Sequence, residues 1–122
     1  MDIFTSYFSR AKGLDVTRYF VVSIARFQPK DFFAYPCLAL APSAELLRQY
    51  KNGLSRGVYE ECYRHDVLES QDIHKIFEGL AKLAHGRDIV LCCYERPFQF
   101  CHRRLLARYV EENWHYFIEE LL

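Results

Sequence analysis

The sequence predicts an α/β fold, a small and mostly parallel sheet flanked by helices as a three-layer sandwich. Three observations carry that expectation. Ile89 to Cys93 is a short run that is apolar at every position, which suits a strand buried on both faces, as strands of parallel sheets are. Leu105, Leu106, Tyr109 and Val110 follow it at helical spacing. The chain reads strand, strand, helices, strand, helix, the alternation that builds parallel sheets through crossover helices.

The elements can be justified in order. Asp2 to Phe8 carries Thr5, Tyr7 and Phe8, which favour extended backbone, and Tyr19 to Ala25 is a second, more apolar strand. Lys12-Gly13 marks the turn or short helical connection between them. From Arg26 to Pro42 the prolines Pro29 and Pro36 and the pair Phe32-Phe33 leave no helical or strand period, so an ordered, irregular loop is expected. Ser43 is placed to cap a helix that runs through Leu46, Leu47 and Tyr50 and stops at Asn52-Gly53. A second helix is expected from Ser55 to about Leu68. Asp72 caps a third, whose Ile73, Ile76, Phe77, Leu80, Leu83 and Ala84 keep three-and-four spacing until Gly86. Arg87 to Cys93 is the strand described above, and a helix from near Cys101 to Glu112 follows. The tail from Trp114 to Leu122 reads as helical.

A chain of 122 residues suits one domain over 1–122 with one core. Its 51% apolar and 16% aromatic content points to a packed globule rather than disorder. Sixteen basic and sixteen acidic residues cancel, which argues against sequence-blind binding to long nucleic acid, since that affinity needs many uncompensated cations. No stretch is long enough to cross a membrane, and no secretory signal is evident, so a cytoplasmic location is expected. Five cysteines in such a setting argue for reduced thiols rather than a disulfide framework.

The chemistry concentrates between Ile89 and Arg103, at what reads as one strand-to-helix turn. In open α/β sheets the crevice beyond the carboxyl ends of the strands collects ligands, and Cys93, Glu95, Cys101, His102 and Arg103 fall there. Cys93 is the candidate nucleophile, because a helix N-terminus and nearby cations favour its thiolate; the plain alternative is a core cysteine. Glu95 is a candidate general base, or else a salt-bridge partner of Arg103 or Arg26. His102 would act as acid or base, the plain alternative being a helix-capping or structural histidine, and Arg103 as an anion clamp, with Arg26 bringing a second guanidinium. Neighbouring helical residues point about 100° apart, so Cys101 either lines the pocket or packs inward. Ser6, at the end of the first strand, can also reach the crevice. Cys93, Cys101 and His102 offer metal ligands too, yet Cys-x7-Cys-His lacks the short hook of structural zinc sites, so the expectation is no metal and no cofactor.

The segment with CYE followed by FCHR resembles the DUF488 family of small prokaryotic and phage proteins. IFTSYF, SIARFQP, LAPSAELLRQYK and ECYRHDVL resemble its small, single-domain branch in the same order, up to about Asn113. The resemblance implies an α/β architecture and a site at these residues, but no established reaction. Matching positions include Ser6, Tyr7, Arg26 ahead of Pro29, Ser43, Lys51, Tyr59, Tyr63 and Cys93. A cysteine, Cys92, stands where an aliphatic residue is usual, and reads as a buried apolar substitute.

Together these features point to an enzyme acting by hydrolysis or group transfer on a small anionic substrate, such as a nucleotide or nucleic-acid fragment. The alternative is a non-catalytic module that binds a nucleotide or a nucleic-acid end. A third reading has the aromatic tail, Trp114, Tyr116, Phe117, Ile118, Leu121 and Leu122, forming a homodimer or docking on a partner, or folding back on its own core.

Overall fold

Five strands form a single parallel sheet in the computed structural model, which describes residues 2–94 and 101–121. They are Ile3–Tyr7 (β1), Tyr19–Ser23 (β2), Tyr35–Pro36 (β3), Asp88–Cys93 (β4) and Ile118–Glu120 (β5). Their order across the sheet is β3-β2-β4-β1-β5, and every pairing is parallel. Thr5, Leu91 and Val22 stand in one register line and Ser6, Cys92 and Ser23 in the next. Side chains alternate along a strand, so Cys92 and Cys93 point to opposite faces of the sheet. The central strand β4 is buried from Ile89 to Cys93, as its unbroken apolar run requires.

The helices are Phe8–Ala11 (α1), Ala44–Lys51 (α2), Arg56–Tyr63 (α3), Ile73–Ala84 (α4) and His102–Trp114 (α5). Ser43, Ser55 and Asp72 cap α2, α3 and α4 by accepting from the amides of Leu46, Val58 and Lys75. A wider turn over Arg64–Leu68 prolongs α3. His85 (φ 50°) and Gly86 (φ 84°) then end α4 in left-handed backbone. The β1-to-β2 connection runs towards one edge and the β4-to-β5 connection towards the other, so right-handed crossovers place α1 and α5 on opposite faces. That is the expected layered α/β arrangement. No helix among the described residues is long and apolar enough to cross a membrane.

Two expectations are corrected. Within the irregular loop, Tyr35–Pro36 forms β3 against Val22 and Ser23; proline is tolerated there because the strand lies at the sheet edge. The tail is not helical over its length: α5 ends at His115 (φ 58°), and Ile118–Glu120 becomes β5 beside β1. Ile118 pairs with Ile3 and is buried, while Tyr116 packs edge-on to Phe77 and Trp114 to Tyr109. The tail therefore extends the sheet beside β1 as its edge strand and packs on its own core. Phe117, 77% exposed, is the exception, and Leu122 lies outside the described residues.

Tyr63 locks the helical layer to the loop. Its fully buried hydroxyl donates to the Leu40 carbonyl (2.7 Å), and its ring meets His102 edge-on at 5.3 Å. Burial pushes its phenol pKa well above the ordinary value, so the group stays a donor. Tyr63→Phe leaves that carbonyl without its partner, and urea unfolding should show a loss of about 1–3 kcal/mol. An unchanged midpoint would mean that water reaches Leu40.

Candidate functional site

The strands β2 and β4 are neighbours, yet the chain leaves β2 for one edge of the sheet and leaves β4 for the other. Such a switch opens a crevice at the carboxyl ends of the two strands. A pocket of about 520 Å³ lies there, within the range usual for small-molecule sites. Ala25, Arg26 and Phe27 enter it from the end of β2, and Cys93 and Tyr94 from the end of β4. Cys101 and His102 come from the start of α5; Leu47, Arg48, Tyr50 and Lys51 from α2; and Tyr59 from α3.

Cys101 and His102 face the same space because Cys101 is the N-cap of α5, with extended backbone (φ −152°, ψ 145°), while His102 is its first helical residue. The 100° rule for helical neighbours does not apply across that boundary. Cys93 and Cys101 are joined as a disulfide, whereas Cys37, Cys62 and Cys92 are free. The expectation of reduced thiols thus holds for three of the cysteines and is overturned for the pair that topology brings together. His102 Nε2 lies 2.6 Å from the Ile24 carbonyl, which only accepts, so this nitrogen carries the proton. Its Nδ1 is left with a lone pair, 3.8 Å from Cys101 Sγ.

Arg103 turns the other way. Its side chain is 1% exposed and forks onto Glu120, with Nε donating at 3.0 Å and Nη2 at 2.6 Å, while Nη1 donates to Cys93 Sγ at 3.0 Å. Thr5 Oγ1 donates to the same carboxylate (2.6 Å) and accepts from Arg104 Nη1 (3.0 Å). Arg103 is thus a neutralised, buried support behind Cys93 and not a cation at the mouth.

Electrostatics separates the members of the cluster. Burial, opposed by the bond to Ile24 and aided by Arg103, lowers the His102 pKa to about 4, so the ring is neutral at pH 7. Burial pushes the Cys92 thiol up to about 12, which makes it an inert core group as its position suggested. Burial also raises Glu120, but the hydrogen bonds from Arg103 and Thr5 and the charges of Arg103 and Arg104 outweigh it, leaving the carboxyl below its usual range.

Around the mouth the charge is positive. Arg26 Nε donates to the Pro42 carbonyl at 3.0 Å, which steadies its guanidinium at the wall, and Arg48 pairs with Glu45 on the same helix. Lys51 makes no side-chain hydrogen bond or ion pair among the described residues. Tyr50 and Tyr59 pack against each other at a 47° tilt, 4.8 Å between ring centres, and Phe27 and Tyr94 expose their rings nearby.

The family model DUF488-N3a, described as the active DUF488-N3 subclade, matches residues 9–114. The chain belongs to the DUF488 family. The comparisons with curated proteins and with solved structures give no match.

Of the site residues expected from sequence, this DUF488 protein brings Cys93, Cys101, His102 and Arg26 to one pocket. Ser6 is not among its lining residues: it is fully buried, and its hydroxyl donates to the Leu121 carbonyl (2.9 Å) at the β5 side of the sheet. Glu95 lies outside the described residues. Of the other matching positions, Lys51 and Tyr59 line the pocket, while Ser43 caps a helix and Tyr63 holds Leu40. Sequence reasoning missed Arg48, Tyr50 and Glu120. Arg48 and Lys51 stand three residues apart on α2, a helical spacing that marks one face, so this signal was present. Nothing local marked Glu120, because its role depends on the tail returning as a strand.

Proposed function

We propose that this DUF488 protein is an enzyme that acts by hydrolysis or group transfer on a small anionic substrate with a flat ring, a nucleotide or a nucleic-acid end. One observation carries the reading: Arg26, Arg48 and Lys51 share a pocket with Tyr50, Tyr59, Phe27 and Tyr94 beside a cysteine-histidine cluster. Cations at the mouth suit phosphate oxygens, and the rings suit a base. His102 Nδ1 offers a proton acceptor inside the pocket. Cys93, once reduced, is a nucleophile whose thiolate Arg103 favours by its hydrogen bond, which makes Arg103 a positioning residue. Glu95, two residues beyond Cys93, remains the candidate second base.

A non-catalytic binding module is the alternative, and one feature favours it: Cys93 is bonded to Cys101, so its sulfur is not free to attack. Turnover separates the two. The reduced protein should bind nucleoside phosphates or short oligonucleotides saturably, with chromatography showing product. Arg26→Ala and Lys51→Ala should each weaken binding by about 10- to 100-fold, the loss of one charge-assisted hydrogen bond. Binding without product leaves the module, and no binding across the panel sinks both.

A further inference from the structure

We propose that, once the Cys93–Cys101 bond is reduced, Cys93, Cys101 and His102 form a site for one zinc-like divalent ion whose fourth position opens into the pocket. The three ligand atoms lie within 4.8 Å of one another and all three residues are buried. Two thiolates and an imidazole are the donors that a borderline-soft ion selects, and no carboxylate joins them among the described residues.

The surroundings match those of a metal-binding histidine. Such a residue donates its far N–H to a fixed acceptor, which sets the tautomer and aims the other nitrogen. Here Nε2 donates to the Ile24 carbonyl and leaves Nδ1 beside the sulfurs. Arg103 donates to Cys93 Sγ, and Glu120 cancels its charge, so two thiolates and a dication make a neutral centre. The Cα atoms of Cys93 and Cys101 stand 7.5 Å apart, beyond the roughly 4.4–6.8 Å usual for a direct bridge. A metal ion between the sulfurs spans the gap more easily. Three protein ligands facing a cavity are the catalytic form of a zinc site rather than the closed structural form.

Reduction needs a dithiol, which gives two electrons and two protons to the Cys93–Cys101 bond and becomes a disulfide itself. Binding of the dication then releases the two thiol protons to solvent. With the ion bound, Cys93 Sγ and His102 Nδ1 serve as ligands instead of nucleophile and base, and the ion polarises a phosphoryl oxygen or a water in their place; that use rests on the substrate named under the proposed function, whereas binding of the ion does not.

Cobalt(II) titration of the full chain tests the site. Reduced wild type should take one cobalt per chain, with thiolate-to-cobalt charge transfer and four-coordinate absorption that zinc abolishes. Unreduced protein should take none. Cys101→Ser should lose the charge-transfer signal, while Cys62→Ser keeps it. Folded, reduced wild type with titratable thiols and no cobalt uptake would overturn the site, as would a signal that survives in Cys101→Ser. Cobalt uptake without nucleotide binding would remove the substrate reading and keep the site; nucleotide binding without cobalt uptake would do the reverse.

Discussion

Glu120→Ala should destabilise the protein by about 3–5 kcal/mol, the cost of stranding a buried guanidinium when its partner is removed. Arg103 is 1% exposed and Glu120 15%, and the carboxylate takes donors from Arg103 and Thr5 together. Removing it leaves Arg103 with Cys93 Sγ alone and frees the Thr5 hydroxyl proton. Urea unfolding should show the loss, and pairing the change with Arg103→Met should recover part of it, since an apolar pair of similar bulk avoids the uncompensated charge. The Glu120 carboxyl is held below its usual range, so its contribution is present at neutral pH and fades as pH falls through the folded pKa. Glu120→Ala should lack that part of the acid dependence. A variant within about 1 kcal/mol of wild type would show that water already reaches the pair.

Acidification should remove about 3 kcal/mol of stability through His102 alone. Its folded pKa is about 4 against an ordinary value of about 6.5, so the unfolded chain takes up the proton first. The stability is full above about pH 6.5 and drains away as pH falls towards 4. In metal-free buffer, the difference between wild type and His102→Asn should shrink over that window. Should the variant not fold, the His102 ring signal of wild type, followed by NMR, still decides. A signal titrating near 6.5 would mean that the ring is solvated and its bond to Ile24 is not kept. The exposed His65 should titrate in the opposite sense, above its ordinary value, because Asp66 stabilises its cation.

Much of the fold was legible because it rests on local rules. Ser43, Ser55 and Asp72 cap the helices where their side chains and spacing place them, and α4 ends at His85-Gly86 as the glycine implied. The apolar run from Ile89 to Cys93 is the central strand. The tail was misread because its apolar residues fit either period, and what selects β5 is the open edge of β1, over 110 residues away in sequence. Tyr35–Pro36 escaped for the same reason: two residues have no period, and Val22 and Ser23 supply the pairing.

The sequence by itself determined the layered α/β class, the strand-to-helix turn that carries the cysteines and histidine, and the family. These follow from hydrophobic period, capping chemistry and motif, all properties of short stretches. Only the tertiary structure decided which side of that turn each group addresses. The N-cap backbone of Cys101 lets it share the pocket with His102, the strand alternation sends Cys92 into the core and Cys93 towards α5, and β5 delivers Glu120 to Arg103. That last contact turns an apparent anion clamp into an internal support. Charges and thiols take their roles from what lies across the sheet, because burial and a partner's charge, not the side chain's identity, set whether a group is ionised, paired or free to react.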